Sequence, residues 1–297
     1  MSTPPVIWDY LNYIKLEQGL AENTVKAYHA DLNKLLEHFN GAIDFKAIDG
    51  EDLQDFIYQM VKKGMKARSQ ARLISTLRGF FLFLKLERYR SDYPAELLCT
   101  PQLQKELPDT LSLDEIDALI GAVDLSKPTG ARNRSMLELL YGCGLRASEL
   151  VNLTLSDLFL KEGFIRVLGK GNKQRLVPIG AYTKGILSAY IDRIRVHETP
   201  EKGAEDIVFR NRRGKRLTRE MLFIITRDLA KKLGWKKTVS PHALRHSFAS
   251  HLLRNGANLK AIQQMLGHES ITTTEIYLHT DERQLRETLI RFHPRGR

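Results

Sequence analysis

The sequence predicts a mainly α-helical protein with a small β-sheet, divided into two domains. Three observations lead there. Apolar residues recur at helical spacing through most of the chain. One stretch past the middle alternates and turns back on itself. A proline-punctuated segment without periodicity, "CTPQLQKELPDTLS" at 99–112, separates two halves. The chain has 297 residues, 42% of them hydrophobic, enough for one large core or two ordinary ones.

The elements follow in order. Ile7, Leu11 and Ile14, spaced i, i+4, i+7, set the first helix. Val25, Tyr28, Leu32, Leu35 and Phe39 set the second, with Asn23 of "AEN" as its expected cap. Leu53, Phe56, Ile57 and Met60 mark a third, ending near Gly64, and Leu73, Leu77, Phe80, Phe81 and Leu84 a fourth. The fourth also carries Arg68, Arg72 and Ser75 at i, i+4, i+7. That stripe is expected to point away from the apolar one, toward water or into a groove of DNA. Pro101 and Pro108 punctuate the boundary, and Ser112 is placed to cap the next helix. "DEIDALIGAV" and "ARNRSMLELLYGCG" read as helices. In "EGFIRVLGKGNKQRLVPIG", Phe164, Arg166 and Leu168 alternate with Ile165 and Val167, "GKGN" turns, and "KQRLVPI" returns. This is a β-hairpin with Lys170 at a glycine-rich tip. Helical patterns resume to the C-terminus. There Leu285, Leu289 and Phe292 form a stripe with few residues left in the chain to cover it, although a helix that packs within the monomer fits the same spacing.

Composition narrows the function. No run of about 18 apolar residues exists, so no transmembrane helix is expected. The first twenty residues lack the parts of a signal peptide, and the two cysteines, Cys99 and Cys143, suit a reducing compartment. The expectation is a soluble cytoplasmic protein. The net charge of +11 comes entirely from residues beyond 100. Yet 61–90 alone hold nine basic residues and one acidic. Two basic zones, one in each half, suit a polyanion gripped by both, or a solvated basic surface.

The densest chemistry is "HALRHSFASH" at 242–251. His242 and His246 share a helix face, as zinc ligands often do. Arg245, one turn from His242, would repel a metal and suit an anion, and neither cysteine is near in sequence. His242 and Arg245 side by side fit a phosphate held by charge-assisted hydrogen bonds. "GCGLRASEL" adds Arg146 at a glycine-broken helix start. "MLGHESITTTEIY" adds His268 and, nine residues on, Tyr277. Each has a plainer alternative. Arg146 could pair with Glu149, His268 could cap a helix, Tyr277 could pack, Lys170 could be a solvated turn residue, and His246 and His251 could bond internally.

Taken together and in order, Arg146, Lys170, His242-x-x-Arg245, His268 and Tyr277 resemble the tyrosine site-specific recombinases of the phage integrase family. The motifs are "GCGLRASEL", "GKGNKQRLVPI", "SPHALRHSFASHLL" and "MLGHESITTTEIY". "GLAENTVKAYHADL" and "ARSQARLISTLRGFFLFL" are similar to the N-terminal domain of the bacterial Xer recombinases, so the resemblance spans nearly the whole chain. It is nearest the XerC/XerD type, and most like XerD.

The resemblance implies a helical, SAM-like, DNA-binding core-binding domain over 1–100, a linker over 101–111 and a mixed α/β catalytic domain over 112–297 that ends in an exchange helix. The two domains would clasp the duplex. The implied reaction is DNA strand exchange through a 3′-phosphotyrosyl intermediate, with no cofactor, metal or ATP. Tyr277 would be the nucleophile, Arg146, Arg245 and His268 the phosphate ligands, Lys170 the general acid and His242 the aid to deprotonation. Arg68, Arg72 and Ser75 would meet DNA. The implied partners are double-stranded DNA at a dif-like site and a homo- or hetero-tetramer with a neighbour holding the C-terminal helix. A second Xer recombinase and a septal DNA translocase are compatible with these residues, as is a solitary enzyme; no membrane is implied. Two rival classes use part of the same features: a basic helical DNA-binding factor that never cuts, and a type IB topoisomerase.

Overall fold

The computed structural model describes residues 3–41, 43–101, 110–169, 174–267 and 280–296, with the side chains of 280 and 281 set aside. The chain divides into two units, Met1–Glu106 and Leu107–Arg297. The division falls inside the proline-punctuated segment.

Among the described residues the first unit contains four helices: α1 (Pro5–Leu16), α2 (Glu22–His38), α3 (Gly50–Lys62) and α4 (Ala67–Leu86). Their apolar faces meet in one core built on Tyr10, Leu32, Leu35, Phe56, Phe80 and Phe81. Proline opens α1, where its missing N–H costs nothing. Asp49 caps α3 by accepting from the amides of Glu51 and Asp52 at 2.8 and 2.9 Å. Asn23 does not cap α2. The helix begins one residue earlier, and extended backbone at Ala21 makes the entry without a side-chain bond.

A buried charge ties α2 to α4. Asp31 is fully buried and accepts two hydrogen bonds from Arg72, at 2.8 and 2.9 Å, and one from Lys34 at 2.9 Å. Thr76 adds a longer one at 3.4 Å. Burial alone would raise the Asp31 pKa, but the hydrogen bonds of Arg72 and Lys34 and their charges win and lower it. The expected outward stripe on α4 is exposed at all three positions, and one of them reaches a buried partner. Arg68 and Ser75 are exposed, with the Ser75 hydroxyl turned back to the Ala71 carbonyl. Arg72 reaches across to Asp31 as an ion pair between α4 and α2, its side chain still 41% exposed. Helical spacing fixed the face of Arg72. It carried no information about a carboxylate arriving from another helix.

The second unit wraps helices around a three-stranded antiparallel sheet, ordered β1 (Leu158–Phe159), β2 (Phe164–Leu168), β3 (Gln174–Pro178). The hairpin register pairs Phe164 with Pro178 and Leu168 with Gln174. Lys170 falls in the connection between them, outside the described residues. The two-residue β1 is too short to show any alternation. The helices are α5 (Leu113–Gly121), α6 (Gly130–Gly142), α7 (Ala147–Asn152), α8 (Ala181–Arg193), α9 (Arg219–Lys232), α10 (Pro241–Arg254), α11 (Leu259–Leu266) and α12 (Thr280–Phe292). Ser112 and Glu115 form a reciprocal capping box at the start of α5. The middle of α6 runs through the core, with Met136, Leu137, Leu139, Leu140 and Tyr141 wholly covered. The Tyr141 hydroxyl bonds His251 Nδ1 at 2.8 Å, so His251 serves the interior.

The C-terminal helix also departs from expectation. Leu285 and Leu289 are buried in the core of their own unit, and Phe292 packs at its margin. Beyond α12, His293 lies against the rings of Tyr141 and Phe248, at 4.8 and 4.9 Å. Arg295 pairs with Glu138 and Asp117. The stripe thus finds its cover within the chain, on α10, α11 and β3. The expectation of few internal partners failed because these are distant in sequence. Among the described residues, no helix is long and apolar enough to cross a membrane.

The Asp31 pair gives a stability test. Arg72→Met should destabilise the first unit by about 2 kcal/mol, since it removes two charge-assisted hydrogen bonds and leaves the buried carboxylate to Lys34 and Thr76. Arg68→Met, at an exposed position, should stay within about 0.5 kcal/mol of the parent. Denaturant midpoints of the full chain would measure both. Because the folded Asp31 pKa lies below the unfolded value, its contribution is complete above the ordinary carboxylate range. It should fade as pH falls through and below that range, and the Arg72→Met variant should lack that part of the acid slope. Equal midpoints for the two variants would show that Arg72 is a surface residue after all.

Candidate active site

Arg146 lies where α6 gives way to α7. Gly144 takes a left-handed conformation, φ +61°, and a Cβ there would run into the Phe248 ring at 2.5 Å. The chain can therefore turn tightly against α10 and deliver Arg146 to the N-cap of α7. The Arg146 backbone N–H donates to Glu149 Oε2 at 2.8 Å, and its Nη1 to Glu149 Oε1 at 2.8 Å. Its Nη2 donates to the Gly267 carbonyl at 3.0 Å. The pairing with Glu149 and the place at a helix start hold together.

His242 and Arg245 come from the first turn and a half of α10, which Ser240 caps and Pro241 opens. They share the helix but not an environment: His242 is exposed, whereas Arg245 is only 5% exposed. Arg245 donates to the carbonyls of Gly144 at 2.7 Å and Leu266 at 2.6 Å, and lies 3.7 Å from Glu149 Oε2. Burial pushes its pKa down to about 10. The charges of Arg146 and Arg175 push the same way and Glu149 opposes them, so it stays cationic at neutral pH. His246, one turn further on, is half-buried.

The carboxylate that organises these groups is Glu149. It is buried, and it accepts a bidentate pair from Arg175 on β3, at 2.7 and 2.9 Å, besides the bonds from Arg146. Burial acts to raise its pKa. The hydrogen bonds and charge of Arg175, with the bonds from Arg146, override that and hold it at about 2. Arg175 also donates from Nε to the Met265 carbonyl at 2.9 Å. Three successive carbonyls at the end of α11 thus meet three arginines: Met265 with Arg175, Leu266 with Arg245, and Gly267 with Arg146. Gly267 ends the helix in a left-handed C-cap, φ +64°. The negative end of the helix dipole suits three cations there.

The structure therefore brings together Arg146 and Arg245, and leaves His242 exposed on the helix of Arg245. Lys170, His268 and Tyr277 lie outside the described residues. Arg68, Arg72 and Ser75 belong to the other unit. The sequence reading weighed Glu149 only as a partner of Arg146 and missed Arg175. The one signal in "KQRLVPI" is a cation that directly precedes the apolar run Leu176–Val177 of a strand, and that is weak. Among the described residues, no cluster of three or more His, Cys, Asp or Glu side chains could hold a metal ion.

Comparison with known proteins adds to this geometry. Residues 109–284 match the model of the phage integrase family, and residues 7–88 match that of the phage integrase N-terminal SAM-like domain. The chain is 44% identical over 295 residues to the tyrosine recombinase XerD of Staphylococcus aureus, covering 98% of this chain and 99% of that one. It is 42% identical over 295 residues, with the same coverage, to XerD of Staphylococcus epidermidis. Among solved structures it is similar to the XerH site-specific recombinase, bound to a palindromic difH substrate in a post-cleavage complex. That match has a TM-score of 0.67 and 26% identity, covering 89% of this chain and 78% of the other. With both family models matched and a relative aligned along almost its entire length, the chain belongs to the phage integrase family and is a tyrosine recombinase of the Xer type.

Proposed function

We propose that this recombinase cuts and rejoins DNA with Tyr277 as nucleophile, at a dif-like site where chromosome dimers are resolved. The observation that carries the reading is the convergence of Arg146 and Arg245 on Glu149 and on the end of α11, from which the chain runs directly into His268. Two guanidiniums fixed side by side suit the two non-bridging oxygens of a phosphodiester.

In this reading the Tyr277 oxygen bonds to phosphorus, the bond from phosphorus to the 5′-oxygen breaks, and a 3′-phosphotyrosyl link results. His242 assists removal of the phenolic proton, and Lys170 protonates the departing 5′-oxygen. Arg146, Arg245 and His268 stabilise the charge that builds on the non-bridging oxygens. The partner strand's 5′-hydroxyl then reverses these steps, so the energy of the phosphodiester is retained and no nucleotide cofactor is needed. Fixed cations take the part that metal ions play in many nucleases. The exposed Arg68 and Ser75 of α4 would meet the duplex, with Arg72 holding their helix in place. The working assembly would be a cytoplasmic tetramer on two sites. It would be made with a second Xer recombinase or of this chain alone, with a septal DNA translocase as its control.

Four outcomes test the reading. On a nicked suicide substrate, Tyr277→Phe should lose all covalent complex while gel-shift affinity stays within a few-fold. Persistent covalent product would remove Tyr277 from its role. Cleavage should proceed in excess EDTA, and a reaction that stopped and revived with added zinc or magnesium would overturn the metal-free scheme. Lys170→Ala should lose about 10²–10⁴-fold on an ordinary phosphodiester. It should recover most of that on a 5′-bridging phosphorothiolate, because a thiolate leaves without a proton. Arg245→Ala should show no such recovery, and equal defects on both substrates for Lys170→Ala would make the lysine a mere phosphate ligand. Ligation to a foreign 5′ end, rather than simple resealing, separates recombination from relaxation.

A further inference from the structure

We propose that Arg175 is a positioning residue for strand cleavage: it takes up the charge of Glu149, so that Arg146 and Arg245 keep theirs for the scissile phosphate. The inference rests on the assignment of those two arginines to the phosphate.

The geometry makes the argument. Glu149 is the one carboxylate within ion-pair distance of all three guanidiniums among the described residues. Its tightest partner is Arg175, with two bonds of 2.7 and 2.9 Å against one side-chain bond from Arg146 at 2.8 Å and a 3.7 Å approach from Arg245. Arg175 is well covered, its side chain 14% exposed, and both ends of its guanidinium are occupied: Nη1 and Nη2 by Glu149, Nε by the Met265 carbonyl. Arg175 therefore has little left to offer a substrate. Arg146, a third exposed, retains donors.

Charge completes it. Three guanidiniums and one carboxylate leave two net positive charges in the cluster. A phosphodiester carries one negative charge, and a phosphorane-like transition state carries two. The cluster is thus matched to the transition state more closely than to the ground state, which is the condition for accelerating the chemical step. Without Arg175 one net positive charge remains, and the buried Glu149 draws Arg146 and Arg245 inward to satisfy itself. Arg175 also ties β3, which follows the Lys170 connection, to the end of α11, which precedes His268. One side chain thereby links a strand and a helix end that are ninety residues apart in sequence.

The test compares substrates rather than variants alone. Single-turnover cleavage would be measured on a nicked substrate with an ordinary scissile phosphodiester, and on one with a methylphosphonate, which lacks the non-bridging negative charge. Arg175→Met should cleave the ordinary substrate roughly 100-fold more slowly, the cost of misplaced groups, with gel-shift affinity within a few-fold. On the methylphosphonate the same variant should fall short of the parent by less than tenfold, because less charge develops. Arg175→Lys keeps the cation but loses the bidentate fork, and should lie between parent and Met on the ordinary substrate. If Arg175→Met does not fold, the Lys variant carries the same comparison. Equal defects on both substrates would make Arg175 a structural strut, and parental rates on the ordinary one would leave it no part at all. Either result overturns the proposal. Covalent product from Tyr277→Phe would sink the nucleophile assignment instead, while the ratio between the two substrates would still decide Arg175.

Discussion

Everything at the candidate site depends on a single buried carboxylate. Glu149 sits on the short helix α7, and the three arginines around it come from the start of α7, from β3 and from α10. Three guanidiniums packed together repel one another, and a covered one such as Arg245 has also lost much of its hydration. Breaking a buried ion pair typically costs about 3–5 kcal/mol, so elements that are far apart in sequence are held at one point by a single side chain. The hold is polar and directional. It fixes orientation as well as proximity, and phosphate recognition needs both.

The carbonyls at the end of α11 complete the socket. Each bonds one guanidinium, so donors that a substrate would want are partly occupied without DNA. A charged phosphate oxygen makes stronger hydrogen bonds than a neutral carbonyl does. An arriving anion would therefore compete with these carbonyls for the same donors, and until then the same bonds hold the three arginines in one geometry.

Much of this was legible in the sequence, and most of the misses concern partners from other segments. Helical and strand periodicity reports which face of an element is apolar. It therefore located α1 to α4 through Leu11, Leu32, Phe56 and Phe80, and the β2–β3 hairpin through Ile165 and Val167. It cannot report partners that arrive from distant segments. Arg72 has the spacing of an outward stripe and is exposed, but its bond to Asp31, forty-one residues earlier, has no trace in that spacing. Leu289 looked uncovered because its cover comes from α10, α11 and β3. Asn23 failed as a cap for a local reason, since extended backbone at Ala21 starts the helix without a side chain. Within the site, Arg146 and Arg245 stood out through their motifs. Arg175 did not, because one arginine in a strand has no spacing to betray it.

The two buried carboxylates show what such a residue does in each unit. Asp31 and Glu149 are both covered, both held by a bidentate arginine, and both driven to low pKa against the pull of burial. Asp31 has Arg72 and Lys34 around it, and nothing further converges there beyond Thr76. The result is a strut between α2 and α4. Glu149 has more cation around it than it can neutralise, and the surplus sits on Arg146 and Arg245. The two clusters therefore differ in degree and in placement: one cation is in excess at Asp31, where Lys34 is part-exposed, whereas two are in excess at Glu149, on arginines that backbone carbonyls also hold in place.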